Sequence, residues 1–208
     1  MTARRLSAAA AVLAASLAGA CGGIPTVSRD GYRAVVLFGP AERYSIAVAG
    51  ELRRVEGEIG GSRLVKILRP DLGKVWQFRP STRKLLEEKW EPSDEIVPGY
   101  PLEPHFDQHA FADRFRAQVK QIGDGVHGGH PCDRYALTLP SGDEVFVWAA
   151  RDLERLPVKL EQMRRKDGEL APIRIVELLD VRAGADKDLF EKPKGYTTVS
   201  SYQELSKP

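Results

Sequence analysis

From Tyr32 to Leu179 the chain alternates short apolar runs with turn-forming residues, and this rhythm limits its fold more than any other feature. In the first half the runs are Tyr32–Phe38, Tyr44–Ala49, Leu52–Glu58, Arg63–Arg69, Lys74–Arg79 and Arg83–Trp90. Gly39-Pro40, Gly50, Gly60-Gly61, Asp71-Leu72-Gly73 and Pro80-Ser81-Thr82 divide them. The second half offers Val119–Gly125, Tyr135–Leu139, Glu144–Ala149, Val158–Arg164 and Ile173–Leu179, with turns at Pro140–Asp143 and Lys166–Gly168. Short strands with turns every ~8–12 residues predict antiparallel hairpins joined as a meander.

Between the halves, Pro92 to Pro104 is a proline-rich connection, after which Asp107 offers a side-chain cap to a helix over Gln108–Gln118. Phe111, Phe115 and Val119 follow one another at four-residue steps. Such a stripe must lie on something apolar, and the sheet is the available surface. In "KVWQF" and "EVFVWAA" both faces of the strand are apolar, so both faces are covered. A long antiparallel sheet achieves this by curling and laying a helix across its open side. The expected fold is mainly β (α+β): a strongly curved antiparallel sheet forming a half-open barrel with one capping helix. Trp76, Phe78, Trp90, Tyr135, Phe146 and Trp148 are expected to face its interior, with Phe111 and Phe115 pressing in near Trp76 and Trp148. Aromatics so placed either fill a core or line a cavity. All eight are candidate ligand contacts, and an apolar pocket suits lipid tails because the hydrophobic effect needs only area.

The N-terminus carries Arg4 and Arg5, then an apolar run from Leu6 to Gly19. That run is too short to cross ~30 Å of hydrocarbon comfortably as a helix. Its charged start and small residues read as a secretory signal over residues 1–20. Ala18-Gly19-Ala20-Cys21 resembles the bacterial lipobox, which implies that Cys21 is acylated, palmitate included, and becomes the mature N-terminus. Acyl chains contribute ~0.8 kcal/mol per buried CH₂, so the membrane is an expected partner through them. Gly22 stands where the sorting rule of enteric bacteria reads aspartate as retention, which implies the periplasmic face of the outer membrane. Residues 21–30 then form a tether and residues 31–208 a single domain. Cys132 is left alone, so no intramolecular disulfide is expected, and a lone cysteine in a strand-like segment reads as a small buried apolar group. The chain has 31 Lys plus Arg against 29 Asp plus Glu, and losing the two arginines of the signal balances the charges. No run of like charge stands out, which argues against a nucleic-acid partner.

"LGKVWQFRPSTRKLLEEKW" resembles a strand pair of periplasmic lipoprotein-sorting proteins. "VFVWAARDLERLPVKLE" is similar to their next hairpin, and "DLFEKPKGYTTV" to their closing segment. These stretches, in that order, resemble the LolA/LolB-like fold family, which also includes the sensor domain of RseB and uncharacterised lipoproteins. The resemblance implies a half-open curved sheet with helices capping an apolar concave side, where sorting members hold acyl chains. The chain departs from LolA proper in its lipobox and lacks clear matches to the sorting residues, so the fold and a cavity carry over and the sorting activity does not.

Other chemistry finds little support. His105 and His109, or His127, His130 and Cys132, could with Asp107 or Asp133 approach a metal site, but the tight spacing of such sites is missing, and neither a metal nor another cofactor is expected. There is no G-x-S-x-G, H-E-x-x-H or Gly-rich phosphate loop, and the adjacent Asp94 and Glu95 do not make an acid/base pair. The chain is therefore not expected to be an enzyme. Arg151 to Pro157 alternates charge and reads as a solvated turn or a protein contact. The function expected is an envelope lipoprotein that binds a lipid or a lipoprotein acyl chain. The alternative is a protein-interaction or structural module with a filled core and an envelope protein partner. Whether the concave side is empty separates the two.

Overall fold

The computed structural model describes residues 27–39, 42–91, 106–166 and 168–207. The signal segment, Cys21, most of the tether, and the connection holding Asp94, Glu95 and His105 lie outside the described residues.

Among the described residues, twelve strands form one sheet. The first meander is β1 (Tyr32–Phe38), β2 (Glu42–Ala49), β3 (Leu52–Ile59), β4 (Ser62–Arg69), β5 (Lys74–Arg79) and β6 (Lys84–Lys89). The second is β7 (Gln118–His127), β8 (His130–Thr138), β9 (Glu144–Ala150), β10 (Leu156–Lys166) and β11 (Glu169–Ala183). A short β12 (Thr197–Val199) completes the sheet. The lateral order β12-β6-β5-β4-β3-β2-β1-β11-β10-β9-β8-β7 leaves β12 and β7 at its edges, so the sheet curves without closing. Every neighbouring pair is antiparallel except β12 with β6. The curved antiparallel sheet with a capping helix is the fold expected from the sequence. The two meanders join where β1 pairs with β11, in a register broken by a bulge between Arg33 and Val35.

Strand β1 explains how one face becomes a core: Tyr32, Ala34 and Val36 are buried, while Arg33 between them is exposed. This alternation passes sideways through the registers. Ala34, Ile46, Val55, Lys66, Gln77 and Leu86 form one row, which we call the inner face. Arg182, Arg33, Ala47, Arg54, Ile67 and Trp76 form the adjacent row on the outer face. The inner core gathers Tyr32, Val36, Ile46, Tyr135, Leu137, Val147, Leu160, Val176 and Leu178. Helix α1 (Val27–Asp30) adds Val27, and the second helix, α2 (Gln108–Phe115), adds Phe111.

Asp107 caps α2 as expected, its carboxylate accepting from the His109 and Ala110 amides at 2.8 and 3.1 Å. The helix ends at Phe115, short of the expected Gln118, because Arg116 turns left-handed (φ 50°) and Gln118 already belongs to β7. Strands β10 and β11 run longer than their apolar stretches, to 11 and 15 residues. Their polar ends are held by backbone pairing and by contacts such as Arg165 to Glu144 at 3.1 Å.

The C-terminal segment wraps the far end of the sheet. Leu189, Phe190 and Tyr196 cover the outer face over Val65, Ile67, Trp76, Phe78 and Leu85. β12 then runs along the β6 edge. Beyond it, α3 (Tyr202–Ser206) brings Leu205 onto Leu64 and Leu86, on the inner face. Strands β4 to β6 are thus covered on both sides, which is why they are apolar on both sides.

Candidate functional site

The inner face carries a trough between the sheet, α2 and α3. One lobe, of about 240 Å³, lies under α2 and is walled by Phe111, Phe115, Leu137, Val145, Leu160 and Val176. The other, of about 410 Å³, is walled by Phe38, Tyr44, Val55, Ile59, Leu64 and Tyr202. Arg174 borders both lobes, and Phe38 of one is the register partner of Val176 of the other. The Arg174 guanidinium lies over the Phe38 ring, 5.3 Å from its centroid. Lys66, Gln77 and Glu42 put further polar groups on the second lobe, and Gln162 on the first. These volumes are of the order of small-molecule sites, about 300–1,000 Å³. Gly57 shapes the second lobe, because a Cβ there would come within 2.2 Å of the Tyr44 ring. Tyr44 lies across its register partner and packs where a larger side chain would stand.

The helix over the first lobe is fixed at one end. Fully buried Phe106 packs against Phe111 and Tyr135 with tilted rings, centroids 4.9 and 5.0 Å apart. Its backbone amide donates to the Arg155 carbonyl at 2.8 Å. The Arg155 guanidinium donates back to the Phe106 carbonyl at 3.3 Å and to the Tyr135 hydroxyl at 2.8 Å. At the other end Phe115 is 41% exposed and meets Phe111 at 5.4 Å. The charged stretch Arg151–Pro157 is thus structural in part, since Arg155 clamps the approach to α2 and Asp152 lies 2.9 Å from His130 Nδ1.

The eight aromatics expected around one interior are divided by the registers. Phe111, Phe115 and Tyr135 belong to the inner face. Trp76 and Phe78 lie on the outer face, beneath the C-terminal segment, with Tyr196 edge-on to Phe78 at 5.1 Å and Trp76 Nε1–H donating to Glu87 at 3.0 Å. Trp148 pairs in register with Arg134 and Lys159, one step from inward-facing Val147, so it and Phe146 also point outward. Its ring lies between these two cations at 5.1 and 5.0 Å. Trp90 is half-buried at the end of β6, its amide donating to the Gly73 carbonyl at 3.0 Å. The expectation that Phe111 and Phe115 press on Trp76 and Trp148 is therefore corrected. Phe111 packs on Phe106, which in turn lies on Tyr135, while Trp76 belongs to a separate cluster on the outer face and Trp148 lies one register step from inward-facing Val147. Residues of the trough that composition did not single out are Leu137, Val145, Leu160, Val176 and Arg174, whose shared face appears only once strand registers are known.

Cys132 is fully buried, and burial raises its thiol pKa, as suits a packing residue. His127 is pushed the other way, its pKa lowered by burial. Asp133 faces Arg151 and Arg155 at 3.6 and 3.7 Å. Among the described residues no group of three His, Cys, Asp or Glu side chains is placed to hold a metal ion.

No family model matches the sequence, and no curated protein matches it. Solved structures do match. MucB, solved alone, superposes with a TM-score of 0.53 at 12% identity, over 84% of this chain and 62% of MucB. In the Pseudomonas aeruginosa MucA/MucB complex the values are 0.52, 12%, 82% and 58%. This chain therefore spans about three-fifths of MucB. An uncharacterized conserved protein from Thermus thermophilus matches at 0.51 and 11%, over 82% of this chain and 90% of its own. A LolA superfamily protein from Nitrosomonas europaea, at 13% identity, covers 77% of this chain and 88% of its own length with a TM-score of 0.29. The curved sheet, its capping helix and the superposition on MucB show that this chain shares the fold of MucB.

Proposed function

We propose that this chain is a non-enzymatic envelope lipoprotein whose trough under α2 takes an acyl chain. The observation that carries the reading is the two-lobed apolar hollow with Arg174 at its waist. An acyl chain needs apolar area for its length and one polar environment for its head. The lobes offer the first, and Arg174 and Lys66 offer the second to an anionic head. In the same proposal, residues 1–20 are a signal, Cys21 carries acyl chains, residues 21–30 are a tether, and the domain of residues 31–208 faces the periplasm from the outer membrane. The reading needs neither a metal nor another cofactor.

The test is titration of the full-length chain with a fluorescent fatty acid. The wild type should bind saturably. Val145→Trp, which fills the lobe under α2, should weaken binding about tenfold or more while costing the ~1–3 kcal/mol typical of overpacking. Absence of saturable binding by the wild type overturns the acyl reading.

A second reading has its own support. MucB, which shares the fold, is solved in complex with MucA, so a protein ligand on the same scaffold is the alternative.

A further inference from the structure

The outer face holds a groove of about 500 Å³ beside the C-terminal segment, away from the trough. Its floor is made of small residues on β2, Ser45 and Ala47. Arginines from the strands on either side form its walls. Arg33 of β1 and Arg182 of β11 stand on one side, and Arg54 of β3 and Arg63 of β4 on the other. The registers make this a single lateral row, Arg182–Arg33–Ala47–Arg54, in which the short alanine opens the space between the walls.

The far wall is already paired. Arg54 and Arg63 both contact Glu56, and Arg54 also donates to the Leu189 carbonyl at 3.0 Å. The near wall is different. Arg33 and Arg182 are direct cross-strand partners, both exposed, and neither guanidinium has a hydrogen bond or ion pair among the described residues. Asp180, the other acid on the groove, lies 3.9 Å from Arg43. Like charges placed opposite each other on a sheet destabilise it. Two guanidinium groups that line one space without an ion-pair partner make a place where an anion would be stabilised.

We propose that this groove binds a phosphate-bearing anion. A carboxylate presents two oxygens in one plane and satisfies one fork. A tetrahedral phosphate can accept from Arg33 and Arg182 together and still turn an oxygen to the opposite wall. The groove is far larger than one phosphate, so the rest of a phosphorylated molecule fits along the Ser45–Ala47 floor. This site is independent of the acyl-binding reading, because it lies on the other face of the sheet.

The experiment uses the full-length chain with Cys21→Ser, which carries no acyl anchor to hold it on vesicles, at low ionic strength, with inorganic pyrophosphate as the probe in calorimetric titration. Wild type should bind saturably, and Arg33→Gln with Arg182→Gln should weaken binding about tenfold or more. The same double variant should melt at or above the wild-type temperature without ligand, since it removes the like-charge pair. Lys120→Gln, an exposed change on β7, should leave binding as it is. Vesicles distinguish the source of the phosphate. If the headgroup of a lipid supplies it, the chain sediments with phosphatidylglycerol vesicles more than with phosphatidylcholine, and the double variant loses the difference. If a soluble molecule supplies it, pyrophosphate binds and wild type and variant sediment alike. Failure of pyrophosphate to bind the wild type, or equal binding by the double variant, overturns the proposal.

Discussion

Glu87 joins the C-terminal segment to the sheet. Its carboxylate accepts from Lys192 at 2.7 Å, from Lys74, and from Trp76 Nε1–H at 3.0 Å. These bonds, that from Lys192 first, pull its pKa from an ordinary 4.5 down to about 2. A carboxylate with a depressed folded pKa stabilises the fold above its unfolded value and loses that contribution as pH falls through its folded one. Wild-type stability should therefore drop between about pH 4.5 and pH 2. Glu87→Gln should be less stable than wild type at neutral pH, and the difference should shrink toward pH 2, as urea unfolding across that range would reveal. A gap that stays constant with pH would contradict the role given to this carboxylate. Phe111 and Phe115 make a second residue-level contrast, since they are one turn apart but 4% and 41% exposed. Phe111→Ala should cost the ~3–5 kcal/mol of a buried aromatic. Phe115→Ala should cost only the ~0.5–1.5 kcal/mol of an aromatic pair. Similar losses in the two variants would mean that the helix is not seated as described.

Among the elements, α2 is the one whose attachment matters most to the trough, because it roofs one lobe with few residues. Asp107→Ala removes the acceptor for two helix amides and should cost ~0.5–2 kcal/mol. Hydrogen exchange should show faster opening at Phe111–Phe115 than in β1 or β8, which sit deep in the inner core. Uniformly slow exchange across the helix would count against a roof that can move. The elements were largely legible in the sequence. Lys74–Arg79 and Tyr32–Phe38 have the expected bounds because a turn or glycine flanks each run. The C-terminal strap, β12 and α3 were not legible as elements. β12 is three residues long and α3 five, too short for a period to emerge. Their order follows from what they cover, since Phe190 and Leu205 are fully buried on opposite faces of the same strands.

For the molecule as a whole, the question left by the sequence was which side of the sheet each aromatic would take. In "KVWQF" Val75, Trp76 and Phe78 are all buried, so alternation alone cannot name the inner face. That assignment needs the lateral rows, which connect Trp76 to Arg33 and Arg182 on the outside, and Leu86 to Ala34 on the inside. The arginine groove was hidden for the same reason, because its walls come from residues as far apart as 33 and 182. The trough is what remains after the outer face has been covered or charged. It lies where β1 to β5 and β8 to β11 curl toward α2 and α3. Photocrosslinking of the full-length chain with a diazirine-bearing fatty acid, followed by peptide mapping, tests it directly. Saturable labelling is expected in Phe111–Phe115, Leu137–Val145 and Leu160–Val176, reduced by unlabelled fatty acid and by Val145→Trp. Labelling on the outer face around Trp148 or the C-terminal strap, or labelling that does not saturate, would contradict it.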